Sequence, residues 1–168
     1  MSFTNCTRLT SLQERQNMFS REMSIFVNAP ADQVYGLVSD IRRHPEWAFN
    51  PLELYHIAGP EQGVGATFSS VAHRVAGIVE TFRGQIRVVI DEPPNQFAFE
   101  THDPSGRYRW MFTVMSEGNG SRLTQRMEKL SGPWILRYFQ PAIIWPLFGS
   151  AQVRGGLENI KALLEKET

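Results

Sequence analysis

The sequence predicts an α+β fold in which a curved, seven-stranded antiparallel sheet wraps a long C-terminal helix. Three features carry this. A strand near residue 21 runs directly into a short amphipathic helix. From Pro51 to Lys129, apolar-alternating segments are separated by turn-forming clusters. Beyond residue 150, apolar residues recur at helical spacing.

The first strand runs from Arg21 to Asn28, where Ile25 and Val27 alternate with Ser24 and Phe26. Pro30 suits the first turn of a helix, where its missing N–H is no loss. Val34, Leu37, Val38 and Ile41 then mark one helical face. Pro45 is expected to end that helix and to push His44 out of helical geometry. Leu52–Ile57, Ala66–Arg74, Ile78–Ile90, Phe97–Thr101, Tyr108–Met115 and Arg122–Lys129 read as six further strands. Asp91-Glu92-Pro93-Pro94-Asn95 and Asp103-Pro104-Ser105-Gly106 read as turns. Asn119-Gly120 reads as the hairpin signal between the last two strands. Hairpin-linked strands make an antiparallel sheet.

Val153, Leu157, Ile160 and Leu164 share one face of the final helix. Gly155-Gly156 interrupts it. Each glycine costs about 1 kcal/mol against alanine inside a helix. Close packing on the sheet, space left for a ligand, or a plain kink would each account for the pair. Residues 21–168 form one domain and residues 1–20 an extension. A chain of 168 residues buries roughly 70% of its unfolded surface.

The 17 basic and 17 acidic residues cancel, so no long-range field draws in nucleic acid or an anionic membrane. Cys6 is the single cysteine, which excludes an intrachain disulfide and fits a reducing, cytoplasmic setting. The first 22 residues lack an apolar run of signal-peptide length. Trp134–Phe148 is the most apolar stretch, yet it is shorter than the roughly 20 residues of a membrane span. Transient membrane contact is the most it implies. Pro141 and Pro146 prevent one uninterrupted helix there. The segment reads as a bent, partly mobile flap over one end of the cup, with Tyr138, Ile144 or Trp145 facing a ligand or the opposing loop near Trp47, or else as a structural cap.

Catalytic signatures are missing. There is no Gly-x-Ser-x-Gly elbow, no phosphate loop and no complete dinucleotide fingerprint. His44, His56, His73 and His102 lack paired ligand spacing, and no base lies beside Cys6 in sequence. No catalytic residue, metal or cofactor is therefore assigned. What the strands do carry is an aromatic wall. Trp110, Phe112 and Val114 share a face, and Phe97 and Phe99 lie together, as do Ile86, Val88 and Ile90. Gln125 alternates with Leu123 and Met127, so its amide should point inward and need a partner. His56 alternates with Leu52 and Leu54. Arg83, Arg87, Arg107 and Arg109 fall on the outer face.

Three passages resemble a known family: Met23–Trp47, Asp91-Glu92-Pro93-Pro94 before an apolar strand, and Arg122-Leu123-Thr124-Gln125 after a glycine-containing hairpin. They resemble the START/Bet v 1-like superfamily, in particular its polyketide cyclase/dehydrase-like branch, across residues 21–166. The resemblance implies a helix-grip fold that encloses a small hydrophobic molecule such as a lipid, a polyketide or an isoprenoid-like compound. Trp47, His56, Phe68, Phe99, Trp110, Phe112, Gln125, Met127 and Tyr138 are the expected ligand-binding residues. A cyclase or dehydratase acting on a substrate in the same cavity is the alternative, and a partner-binding module using Trp134–Phe148 is a third. The sequence carries no signal for an oligomeric state.

Overall fold

The computed structural model describes residues 19–75, 79–133 and 139–166. Strand β1 (Phe19–Val27) leads into helix α1 (Ala31–Ser39), a 3₁₀ turn (Ile41–Arg43) and the one-turn helix α2 (His44–Trp47). Six strands follow: β2 (Leu52–Ala58), β3 (Thr67–Val75), β4 (Val79–Glu92), β5 (Gln96–Asp103), β6 (Gly106–Glu117) and β7 (Gly120–Ser131). A π-helical segment (Gln140–Gly149) runs into α3 (Ser150–Lys166). The strands form one antiparallel sheet in the order β1-β7-β6-β5-β4-β3-β2. This is the expected fold, a curved sheet around a C-terminal helix. β1 starts at Phe19, two residues before the expected strand start. The expected extension lies largely outside the described residues.

The sheet's inner face and α3 build the core. Val153, Leu157, Ile160 and Leu164 are all buried, as their spacing predicts. Val34, Leu37, Val38 and Ile41 close the core from the α1 side. Cross-strand register aligns the inner residues in rows. One row runs Met23, Gln125, Phe112, Phe97 and Asp91. Another runs His56, Phe68, Ile86, Thr101, Tyr108, Lys129 and Phe19.

Four local expectations are corrected. His44 is helical (φ −51°, ψ −40°), because Pro45 opens α2 and does not close α1; a proline in a first turn removes no needed N–H. α1 stops at Asp40, whose carboxylate accepts the Arg42 backbone N–H at 3.1 Å. The β6–β7 loop is Gly118-Asn119, one residue before the expected pair, since Glu117 already faces Gly120. Ile90 leaves the face shared by Ile86 and Val88, because a bulge between Val88 and Ile90 pairs Ile90 with Ala98. An extra residue reverses every later side chain. The reversal carries Asp91 onto the inner row, where its carboxylate accepts the Tyr35 hydroxyl. Burial, reinforced by Asp91, raises the Tyr35 pKa.

Gly155-Gly156 does not pack on the sheet as the first account had it; the close neighbours are Phe49 and Trp47, on the segment between the 3₁₀ turn and β2. A Cβ on Gly155 would lie 2.2 Å from the Phe49 ring. The helix continues through both glycines over its 17 residues.

Candidate functional site

The site is assembled around α2. Asp40 caps the preceding turn and takes a fork of two bonds from the Arg42 guanidinium, both at 2.9 Å. Those bonds hold the Asp40 carboxyl below the ordinary carboxylate range. Both side chains reach solvent, so the pair shapes the turn more than it stabilises it. The turn places His44 and Trp47 on the inner side, with their rings stacked at 4.0 Å. His44 also leans on Phe99 at 5.5 Å, and the Trp47 edge meets Phe112 at 5.8 Å. The Trp47 carbonyl accepts Asn159 Nδ2 of α3 at 3.2 Å, which ties α2 to the long helix.

Pro45, on the same turn, faces outward and lines a cleft of about 360 Å³ with Arg42, Leu54, His56, Glu61 and Phe68. The His56 ring meets the Phe68 ring edge-on at 5.4 Å. Its Nε2–H donates to the Pro60 carbonyl at 3.1 Å. A smaller cleft of about 210 Å³ lies between β1 and α3, lined by Met23, Ser24, Ile25, Arg154 and Leu157.

Three polar atoms near α2 are enclosed without a hydrogen-bond partner: His44 Nδ1, Trp47 Nε1 and Gln125 Oε1. Trp47 is 2% exposed and Gln125 7%. His44 and Trp47 stack on each other, and Gln125 is the cross-strand partner of Phe112, whose ring meets Trp47. Buried polar groups in native proteins are nearly always paired, with protein or with ordered water.

A second inner cluster lies at the other end of the sheet. Lys129 is fully buried. Its Nζ donates to the Tyr108 hydroxyl at 3.2 Å and to the Ser105 carbonyl at 3.4 Å. Tyr108 in turn clusters with Phe19 and Met127, against which Trp110 packs, and Trp145 of the π-helical segment meets Phe19 at 5.8 Å.

Residues 18–165 match the family described as "Polyketide cyclase / dehydrase and lipid transport". The chain belongs to that family. The polyketide cyclase/dehydrase-like branch expected from the sequence is thereby shown. Among solved structures it is similar to TTHA0849 from Thermus thermophilus, at 18% identity and a TM-score of 0.70, covering 89% of this chain and 99% of that one. It is similar to Ara h 8.0201 at 9% identity and a TM-score of 0.64, covering 88% and 98%. It is also similar to the di-domain ARO/CYC StfQ from the steffimycin biosynthetic pathway, at 14% identity and a TM-score of 0.67. That match covers 98% of this chain and about half, 56%, of StfQ. These likenesses show the fold. No curated protein matches the sequence.

Within this family member, the expected ligand residues fall into separate places. His56 and Phe68 line the larger cleft. Trp47, Phe99 and Phe112 pack behind it in the main core. Gln125 points inward beside Leu123 and Met127, as alternation predicts, and Met127 joins the Lys129 end. Trp110 is half-buried, with its Nε1–H donating to Thr101 Oγ1 at 3.2 Å. Tyr138 lies outside the described residues. Ile144 is exposed, while Trp145 is partly buried and packs edge-on against Phe19 at 5.8 Å. On the outer face, Arg107 and Arg109 both bind Glu100, at 2.8 and 2.7 Å. Among the described residues, no three His, Cys, Asp or Glu side chains are placed to hold a metal ion, and no helix is long and apolar enough to cross a membrane.

The sequence reading passed over His44 and Lys129. Lys129 continues the alternation of Leu123, Gln125 and Met127, so the signal for its burial was present. His44 had a weaker one, the i, i+3 spacing to Trp47. Burial pushes the His44 imidazole from 6.5 down to about 3. Between those values the unfolded chain takes up a proton that the folded chain refuses. Stability should therefore fall as pH drops below about 6.5, by up to about 1.4 kcal/mol per pH unit. His44→Phe keeps the stack and removes the proton, so its urea midpoint should vary less with pH from 6.5 to 4 than that of the wild type. Parallel profiles would show that His44 is solvated in the folded protein.

Proposed function

We propose that the protein binds and carries a small hydrophobic molecule, such as a lipid, polyketide or isoprenoid-like compound. The ligand sits in the cleft between α2 and β2–β3, with the aromatic inner face behind it. The observation that carries this reading is the cleft itself. Pro45, Leu54 and Phe68 give it an apolar wall, His56 and Arg42 give it a polar edge, and its size suits a small ligand. Burial of apolar area there contributes about 25 cal/mol per Å². The family description, which includes lipid transport, supports the same reading.

A second reading, cyclase- or dehydratase-type catalysis on the same kind of ligand, draws support from the Lys129–Tyr108 pair. An ammonium and a phenol 3.2 Å apart on the inner face suit stabilisation of an enolate oxygen. The likeness to the ARO/CYC protein StfQ points the same way.

Native mass spectrometry of the purified protein tests the leading proposal. The expected spectrum shows an adduct of a few hundred daltons that organic solvent removes. The stripped protein should bind an apolar fluorescent dye saturably, and Leu54→Asp should weaken that binding. A bare polypeptide mass together with unsaturable dye binding would overturn it. Loss of the added ligand's mass by water, or its cyclisation, during incubation would favour the second reading.

A further inference from the structure

We propose that the π-helical segment docks the protein on a lipid bilayer, its exposed apolar stripe entering the interface and Arg21 and Arg154 meeting lipid phosphates at its rim. This goes beyond ligand binding and does not depend on what either cleft holds.

The chain from Phe139 to Val153 carries no charged residue. Phe139, Ile143, Ile144, Leu147 and Phe148 are all exposed there, Leu147 at 63%. A π-helix bonds each residue to the fifth beyond it, so residues four and five apart share a face. The five exposed residues follow that spacing and make one stripe. Trp145 lies off it. That ring is partly buried and edge-on against Phe19, and a Cβ added to Gly149 would lie 2.6 Å from it. Trp145 therefore anchors the segment to the body of the protein, and the stripe is left in solvent. Folded proteins rarely leave so many large apolar side chains together in water, and such a patch marks a docking surface.

The rim indicates the partner. The Arg21 guanidinium lies over the Phe19 ring at 4.4 Å, and Phe19 is the residue that receives Trp145. Arg154 stands one turn into α3, beside β1 in the smaller cleft. Both arginines are exposed, and neither forms an ion pair among the described residues. A bilayer offers hydrocarbon to the stripe and phosphate to the arginines. The segment spans only Gln140–Gly149, too short to cross, but an interfacial helix needs to bury its apolar face only about 5–10 Å deep. A second copy docked through the same stripe would set one arginine-bearing rim against the other, a like-charge contact that opposes association.

Vesicle flotation tests this, with phosphatidylcholine alone and with equal parts phosphatidylcholine and phosphatidylglycerol. The wild type should float with both, and about tenfold tighter with the mixed vesicles. Leu147→Asp should weaken binding to both by about tenfold or more. Arg21→Gln combined with Arg154→Gln should remove the preference for the mixed vesicles and leave binding to phosphatidylcholine. Hydrogen exchange with vesicles present should show new protection over Ala142–Phe148. If circular dichroism shows that Leu147→Asp fails to fold, Ile143→Asp takes its place. No flotation on either vesicle, or flotation that the aspartate leaves unchanged, would overturn the proposal. A dimer in analytical ultracentrifugation that Leu147→Asp splits, with no vesicle binding, would overturn it in favour of a second copy on the stripe. Saturable dye binding without flotation sinks this proposal alone. Flotation without saturable dye binding supports it while the ligand-binding reading falls.

Discussion

Phe112→Ala should destabilise the protein by about 3–5 kcal/mol and lower Tm by roughly 10 °C. Phe112 is fully buried at the centre of the inner face. It lies between Phe97 on β5 and Gln125 on β7, with Trp47 and Phe99 against its ring. Several elements meet at this one side chain, so the vacated volume cannot close by the shift of a single neighbour. Trp110→Ala, two residues earlier on the same strand, should cost less, because Trp110 is only half-buried. Urea unfolding followed by far-ultraviolet circular dichroism measures both. A Phe112→Ala cost below that of Trp110→Ala would mean that the Phe112 ring borders open space and not packed side chains.

Gly106→Ala should cost about 3 kcal/mol or more. Gly106 has φ +134°, and an added Cβ would lie 2.1 Å from the Ser131 carbonyl oxygen and 2.9 Å from Gly132 Cα. Those are backbone atoms at the far end of the β6–β7 ladder, so the strands themselves must part. Gly118→Ala is the control. It too has positive φ, at +60°, but nothing lies within 4 Å of its added Cβ. Its cost should be about 1–2 kcal/mol, the left-handed penalty alone. Equal costs for the two substitutions would contradict the close strand approach at Gly106. Lys129 adds a second consequence, since a Cβ placed on the neighbouring Gly132 would lie 2.9 Å from its Cε and 3.2 Å from its Nζ. Parting the strands would loosen the enclosure of the buried Lys129–Tyr108 pair.

What the sequence by itself determined was whatever depends on near neighbours. Period-two alternation placed Phe112, Val114, Leu123, Gln125 and Met127 on the inner face, and helical spacing placed Val153, Leu157, Ile160 and Leu164 against it. Such patterns repeat over a few residues and need no knowledge of partners. The antiparallel run from β2 to β7 follows from turn-linked connections, whereas the pairing of β1 with β7 joins the two ends of the chain and is decided only in the tertiary structure. Most of the site's arrangement was decided only by the tertiary structure. The bulge after Val88 turned Asp91 inward to meet Tyr35, and a single inserted residue leaves no pattern to read. Pro45 should have kept His44 out of a helix. The gain from burying the stacked His44 and Trp47 rings against Phe99 and Phe112 outweighs that local preference. An aromatic ring buries about 150–250 Å², or about 4–6 kcal/mol at 25 cal/mol per Å², more than a backbone preference opposes. The orphaned Trp47 N–H and Gln125 carbonyl were unreadable for the same reason: their lack of partners depends on residues that are distant in sequence and become neighbours only when the sheet curves around α3.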